Sequence, residues 1–155
     1  MQKKRSPIPA VYLHIPFCRT ICPFCSFTVR RDRAKMHEKY IRGMVDEIDR
    51  RAEMLKDIER KENEEQLSGQ ILLKSIYIGG GTPSCLTIPE VSVLLTKVRE
   101  NFPWSDQIEI AFEMNPDDVN PEYLSGLADI GVNRLSLGGQ SFQTSTLHKL
   151  GRCHT

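Results

Sequence analysis

The chain has 155 residues, 39% of them hydrophobic, which suits one soluble globular domain with a core of ordinary size. With 21 basic and 20 acidic residues the formal net charge is +1, so the totals argue for neither nucleic acid nor an anionic membrane as partner. No apolar run follows the basic start MQKKRSPIPA to form a signal peptide or membrane span, and a cytoplasmic protein is expected.

The first predicted strand is AVYLHI, 10–15, with a cysteine-bearing loop directly after it. A helix is predicted between residues 36 and 60, because Ile41, Met44, Val45, Ile48, Ala52 and Leu55 keep one face. Four acid-to-base pairs at i,i+4 support its other face: Glu38 with Arg42, Asp46 with Arg50, Glu47 with Arg51, and Asp57 with Lys61. That charge run is most simply a solvated surface. Residues 61–70, KENEEQLSGQ, suggest a polar surface loop.

The second strand, 74–78, runs into Gly79-Gly80-Gly81-Thr82-Pro83. A capping box, Thr87 to Glu90, opens the next helix, which buries Val91, Leu94, Leu95 and Val98 and is stopped by Pro103. The third strand, 107–113, leads into Met114-Asn115-Pro116. Asn120 with Pro121 starts a helix that Gly131 ends. The fourth strand, 133–137, leads into Gly138-Gly139-Gln140, and Gly151 reads as the C-cap of a last helix.

Strand and helix alternate four times, which predicts an α/β fold with parallel strands. One parity of each strand is apolar: Val11, Leu13 and Ile15; Ile76 and Ile78; Ile108, Ile110 and Phe112; Leu135 and Leu137. The other carries Tyr12, His14, Ser75, Tyr77, Glu109, Glu113, Arg134 and Ser136, too polar for a sheet covered on both faces. A sheet curled around a ligand-holding lumen fits this better than a doubly wound one. The expected fold is a partial, open (β/α) barrel of about four units, with its site at the carboxyl ends of the strands. Its last strand should present an unpaired edge.

Five cysteines are present, and Cys18, Cys22 and Cys25 lie within eight residues, which favours metal or redox chemistry over a disulfide framework. Zinc usually draws its ligands as two close pairs, whereas Cys85 and Cys153 are isolated and His14 belongs to no recognisable pair. A four-iron cluster takes one Cys per iron, so three leave one iron open to a ligand that is not protein. A small zinc-binding module stays as the alternative from another class.

The C-x3-C-x2-C spacing, with Phe24 before the last Cys, resembles the radical S-adenosylmethionine (radical SAM) superfamily. Tyr12-Leu13-His14-Ile15-Pro16-Phe17-Cys18, Gly79-Gly80-Gly81-Thr82-Pro83-Ser84, Glu113-Met114-Asn115-Pro116, and Gly131 to Gly138 with Gln140-Ser141-Phe142 narrow the resemblance to the anaerobic coproporphyrinogen III oxidase-like group. These blocks span nearly the whole chain. Phe27 stands where the genuine oxidases carry a further Cys, which is similar to the haem chaperone HemW subfamily. Gly139 departs from the family's branched aliphatic residue, and a looser loop presenting Gln140 is expected.

The resemblance implies a 4Fe-4S cluster on Cys18, Cys22 and Cys25 and S-adenosylmethionine (SAM) on its open iron. It implies SAM contacts from Tyr12, Phe24, the loop with Gly80, Gly81 and Thr82, Glu113, Gln140 and Arg152. Without it, Glu113 would pass for a structural acceptor and Arg152 for a surface residue near a helix end. The chemistry implied is reductive cleavage of SAM by one electron from the cluster, with haem as cargo of the full-length protein and no catalytic residue assigned. Oxygen-independent oxidation of coproporphyrinogen III is the alternative, disfavoured by Phe27. The electron donor and haem acceptor stay unnamed. Family members continue through further barrel strands and a C-terminal domain, so residues 1–155 are expected to be the N-terminal part of a radical SAM core. Cys85 and Cys153 read as free thiols, and His37, His148 and His154 give no signal.

Overall fold

The computed structural model describes residues 10–62 and 72–154. Its elements are β1 (Ala10–Ile15), β2 (Phe17–Cys18), β3 (Arg30–Arg31), α1 (His37–Glu62), β4 (Leu73–Gly80), α2 (Ile88–Asn101), β5 (Trp104–Met114), α3 (Pro121–Asp129), β6 (Arg134–Leu137) and α4 (Thr144–Lys149). A four-stranded parallel sheet has the order β1-β4-β5-β6. Successive units therefore advance in one direction, without the reversal of a doubly wound sheet. The arrangement is the partial (β/α) barrel expected, with β6 at an open edge.

Side-chain alternation explains why only one face is covered. Leu13, Ile15, Ile76, Ile78, Ile110 and Phe112 are buried against Ile41 and Ile48 of α1, Val91, Leu94, Leu95 and Val98 of α2, and Leu127 of α3. The opposite parity stays accessible at Tyr12, Tyr77, Glu113 and Arg134. On β6 the apolar parity is left partly open: Leu135 and Leu137 are 41% and 52% exposed. They lie on the last strand, and the six-residue α4 that follows does not cover them.

Local signals act as their chemistry predicts. The Glu90 carboxylate accepts from the Thr87 N–H at 2.7 Å, and Asn120 Oδ1 accepts from the Tyr123 N–H at 2.8 Å. Gly131 ends α3 at φ 96° and Gly151 follows α4 at φ 68°. On α1, Arg42 pairs with Glu38 and Arg51 with Glu47, but Arg50 turns to Glu47 at 3.6 Å instead of Asp46. Lys61 and most of the loop expected at 61–70 fall outside the described side chains, although α1 runs on through Glu62. β5 begins three residues earlier than its pattern, since Trp104 pairs with Leu73 across a register shift that the polar Ser105 and Asp106 conceal.

The β2–β3 ladder has no sequence signature. Arg30 N–H donates to the Pro16 carbonyl at 2.7 Å and Asp32 N–H to the Cys18 carbonyl at 2.9 Å. These bonds close the two ends of the cysteine loop onto each other.

Candidate functional site

Loops from all four strands of the sheet meet at their carboxyl ends around a cavity of about 220 Å3. Cys18, Cys22, Cys25, Phe24, Gly80, Gly81, Thr82, Glu113, Gln140 and Arg152 all line it. Of the cluster ligands and SAM contacts that the resemblance implies, Tyr12 alone stands apart. It sits further down the polar face, its ring 6.0 Å from Tyr77 and its hydroxyl 3.1 Å from His14 Nδ1. A larger, mostly apolar groove of about 1240 Å3 runs between β1 and α1, and no cysteine lines it.

Cys18 is buried at the end of β2, and Cys22 and Cys25 are half-buried. Burial pushes the Cys18 thiol up; the Thr82 hydroxyl, donating to its Sγ at 3.4 Å, opposes that, while the nearby Cys25 and Cys22 thiols add to it. The Gly loop packs directly beneath. Gly81 N–H donates to the Ile15 carbonyl at 2.7 Å, and a Cβ at Gly81 would stand 2.8 Å from the Phe17 carbonyl oxygen and 2.9 Å from Cys18 Sγ. Gly80 takes φ 121°, a backbone state side chains avoid, and a Cβ there would meet the His14 ring at 2.7 Å.

Glu113 ends β5 with both oxygens engaged. Oε1 accepts from the Tyr77 hydroxyl at 2.5 Å and Oε2 from the Gly80 N–H at 3.0 Å. That bond to Glu113, with burial second, raises the Tyr77 hydroxyl above its ordinary pKa. The carboxylate thus rests against the Gly loop. Gln140 reaches the cavity from a backbone at φ 61°, unusual for a residue with a side chain. Gly139 before it has nothing within 4 Å of an added Cβ and does not have positive φ, so sterics there do not demand glycine.

Arg152 follows the Gly151 turn and points inward. Nη2 donates to Asn115 Oδ1 at 2.9 Å and to the Gly138 carbonyl at 3.0 Å; Nη1 lies 3.6 Å from Cys22 Sγ. Its Nε is buried without a partner. Phe27 is 69% exposed and lines the cavity.

Sequence reasoning missed two supports of this site. Arg19 pairs with Asp118 and donates to the Ser84 carbonyl at 3.0 Å, and the Ser84 hydroxyl also donates to Asp118. His37, 4% exposed, has Nε2 2.6 Å from Asp32 and Nδ1 3.2 Å from Glu90, and its ring centroid is 4.7 Å from that of Phe17. A lone histidine carries no spacing signal, but Glu90 was already legible as a capping residue.

Among the described residues no three His, Cys, Asp or Glu side chains gather tightly enough for one metal ion. Three soft sulfurs spread over one cavity wall, above a glycine cradle and beside an arginine with an unpaired buried nitrogen, fit a larger iron-sulfur group whose irons each take one thiolate.

The radical SAM superfamily model matches residues 12–155. The chain is 37% identical over 146 residues to the heme chaperone HemW of Bacillus subtilis (strain 168), covering 94% of this chain and 35% of that protein. It is 33% identical over 149 residues to HemW of Haemophilus influenzae, covering 96% and 37%. A solved structure of coproporphyrinogen III oxidase (HemN) from Escherichia coli, described as a radical SAM enzyme, superposes with a TM-score of 0.77 at 28% identity, covering 95% of this chain and 31% of that one. The chain spans about a third of the length of these relatives. With the model matched across nearly its whole length, the chain belongs to the radical SAM superfamily.

Proposed function

We propose that Cys18, Cys22 and Cys25 hold a 4Fe-4S cluster with SAM beside it, and that the protein serves as a HemW-type haem chaperone passing haem to acceptor proteins. The observation that carries this reading is three thiols on one cavity wall with Phe27, not a fourth thiol, at its mouth. Relatives named as haem chaperones support the cargo.

When bound, the cluster supplies a low-potential electron to the sulfonium of SAM. The chain's own residues position and shield. The Gly80 and Gly81 backbone admits close approach of a ligand, and Glu113, braced by Tyr77 and Gly80, presents a fixed carboxylate suited to an amino group. Phe24, Gln140 and Arg152 complete the SAM side of the cavity, and Tyr12 acts at one remove through the Tyr77–Glu113 contact. We take the protein to be cytoplasmic; no helix among the described residues is long and apolar enough to cross a membrane.

The second reading, porphyrinogen oxidation, is favoured by the similarity to HemN. Anaerobic reconstitution followed by electron paramagnetic resonance, with and without SAM, tests the cluster: a spectrum unchanged by SAM sinks the reading. Haem titration beside a coproporphyrinogen decarboxylation assay, on the longest available form of the protein, separates chaperone from oxidase. Product formation would overturn the chaperone reading.

A further inference from the structure

Two of the three cysteine sulfurs receive hydrogen bonds from outside their own loop, and from different directions. Thr82, 5% exposed on the Gly loop, donates its hydroxyl to Cys18 Sγ at 3.4 Å. Arg152, behind α4, brings Nη1 to 3.6 Å from Cys22 Sγ. The guanidinium is not free to leave, because Nη2 is held by Asn115 from the loop after β5 and by the Gly138 carbonyl from the loop after β6. The planar guanidinium fork serves two oxygens and a sulfur at once.

We infer that Thr82 and Arg152 raise the reduction potential of the cluster held by these cysteines, acting as positioning residues through Cys18 and Cys22; the inference rests on the cluster reading above. Reduction adds a negative charge that spreads onto the thiolate sulfurs. A donor fixed against a sulfur stabilises the reduced form more than the oxidised one, so the potential rises. A neutral hydroxyl has the smaller effect and a guanidinium the larger, since its hydrogen bond is charge-assisted. The two residues touch different sulfurs, so each can be removed without disturbing the other's hydrogen bond.

The test is a redox titration, followed by electron paramagnetic resonance without SAM, of the reconstituted chain and its Thr82→Val, Arg152→Gln and Arg152→Lys variants. The midpoint is expected to fall in Thr82→Val and further in Arg152→Gln, with Arg152→Lys between Arg152→Gln and the parent. Equal midpoints at equal iron content would overturn this inference while leaving the cluster reading intact. Should Arg152→Gln fail to load, the near-isosteric Thr82→Val decides, and an unshifted midpoint there overturns it. A parent chain that takes up no iron would bring down both.

Discussion

Arg19, the residue after the first cysteine, is ion-paired with Asp118, 99 positions along the chain, and both hold Ser84. The pair joins the cysteine loop, the turn after the Gly loop and the turn after β5. Arg19 is half exposed, so its removal should cost little stability, under about 1 kcal/mol. Asp118→Ala leaves two donors without their acceptor and should cost about 1–2 kcal/mol. Both variants are expected to lower iron uptake on reconstitution, measured as iron per chain beside urea unfolding. Full loading in both would refute a role for the clamp in the site.

Gly81 and Gly139 should respond oppositely to alanine. A methyl at Gly81 collides with Cys18 Sγ and the Phe17 carbonyl, so Gly81→Ala should displace the first cysteine and sharply reduce cluster content. Gly139 faces open space without positive φ, and Gly139→Ala should stabilise by about 0.4–1 kcal/mol through the unfolded chain. Thermal melts with iron analysis check both, and a normal cluster in Gly81→Ala contradicts the first.

Cys22→Ala removes one of the three sulfurs and leaves the Arg152 guanidinium without that partner. No cluster signal should survive in this variant. A parent-like spectrum would refute the ligand assignment.

Cys85 is buried, and its thiol is pushed up to about 12, chiefly by burial and next by the Asp32 charge. A raised folded pKa keeps the proton on the native state. Its stabilisation is therefore complete below the unfolded value near 9 and is lost as pH rises from there through about 12. Iodoacetamide at pH 8 should label the exposed Cys153 and spare Cys85, as read by peptide mass spectrometry. Comparable labelling of the two would contradict the burial.

His37→Ala should cost on the order of 2–3 kcal/mol, since it opens a cavity beside Phe17 and strips partners from Asp32 and Glu90. Urea unfolding measures the loss; a variant as stable as the parent would show that the three side chains do not support the loop.

The strands and helices were legible because their signals are local. Period-two alternation, the Thr87–Glu90 cap, Asn120 before Pro121 and Gly131 after α3 each act within a few residues. The three thiols were legible for the same reason, lying on one short loop, and the polar strand parity pointed to one uncovered sheet face. Which distant residues meet was decided by tertiary structure alone. Arg152 reaching Cys22, Arg19 reaching Asp118, His37 lodged between Asp32 and Glu90, Tyr12 left outside the cavity and Leu135 left uncovered all depend on where strand ends fall across the sheet. Contacts between residues far apart in the chain leave no periodicity behind, since hydrogen bonds and burial are set by distance in space and not by spacing in sequence.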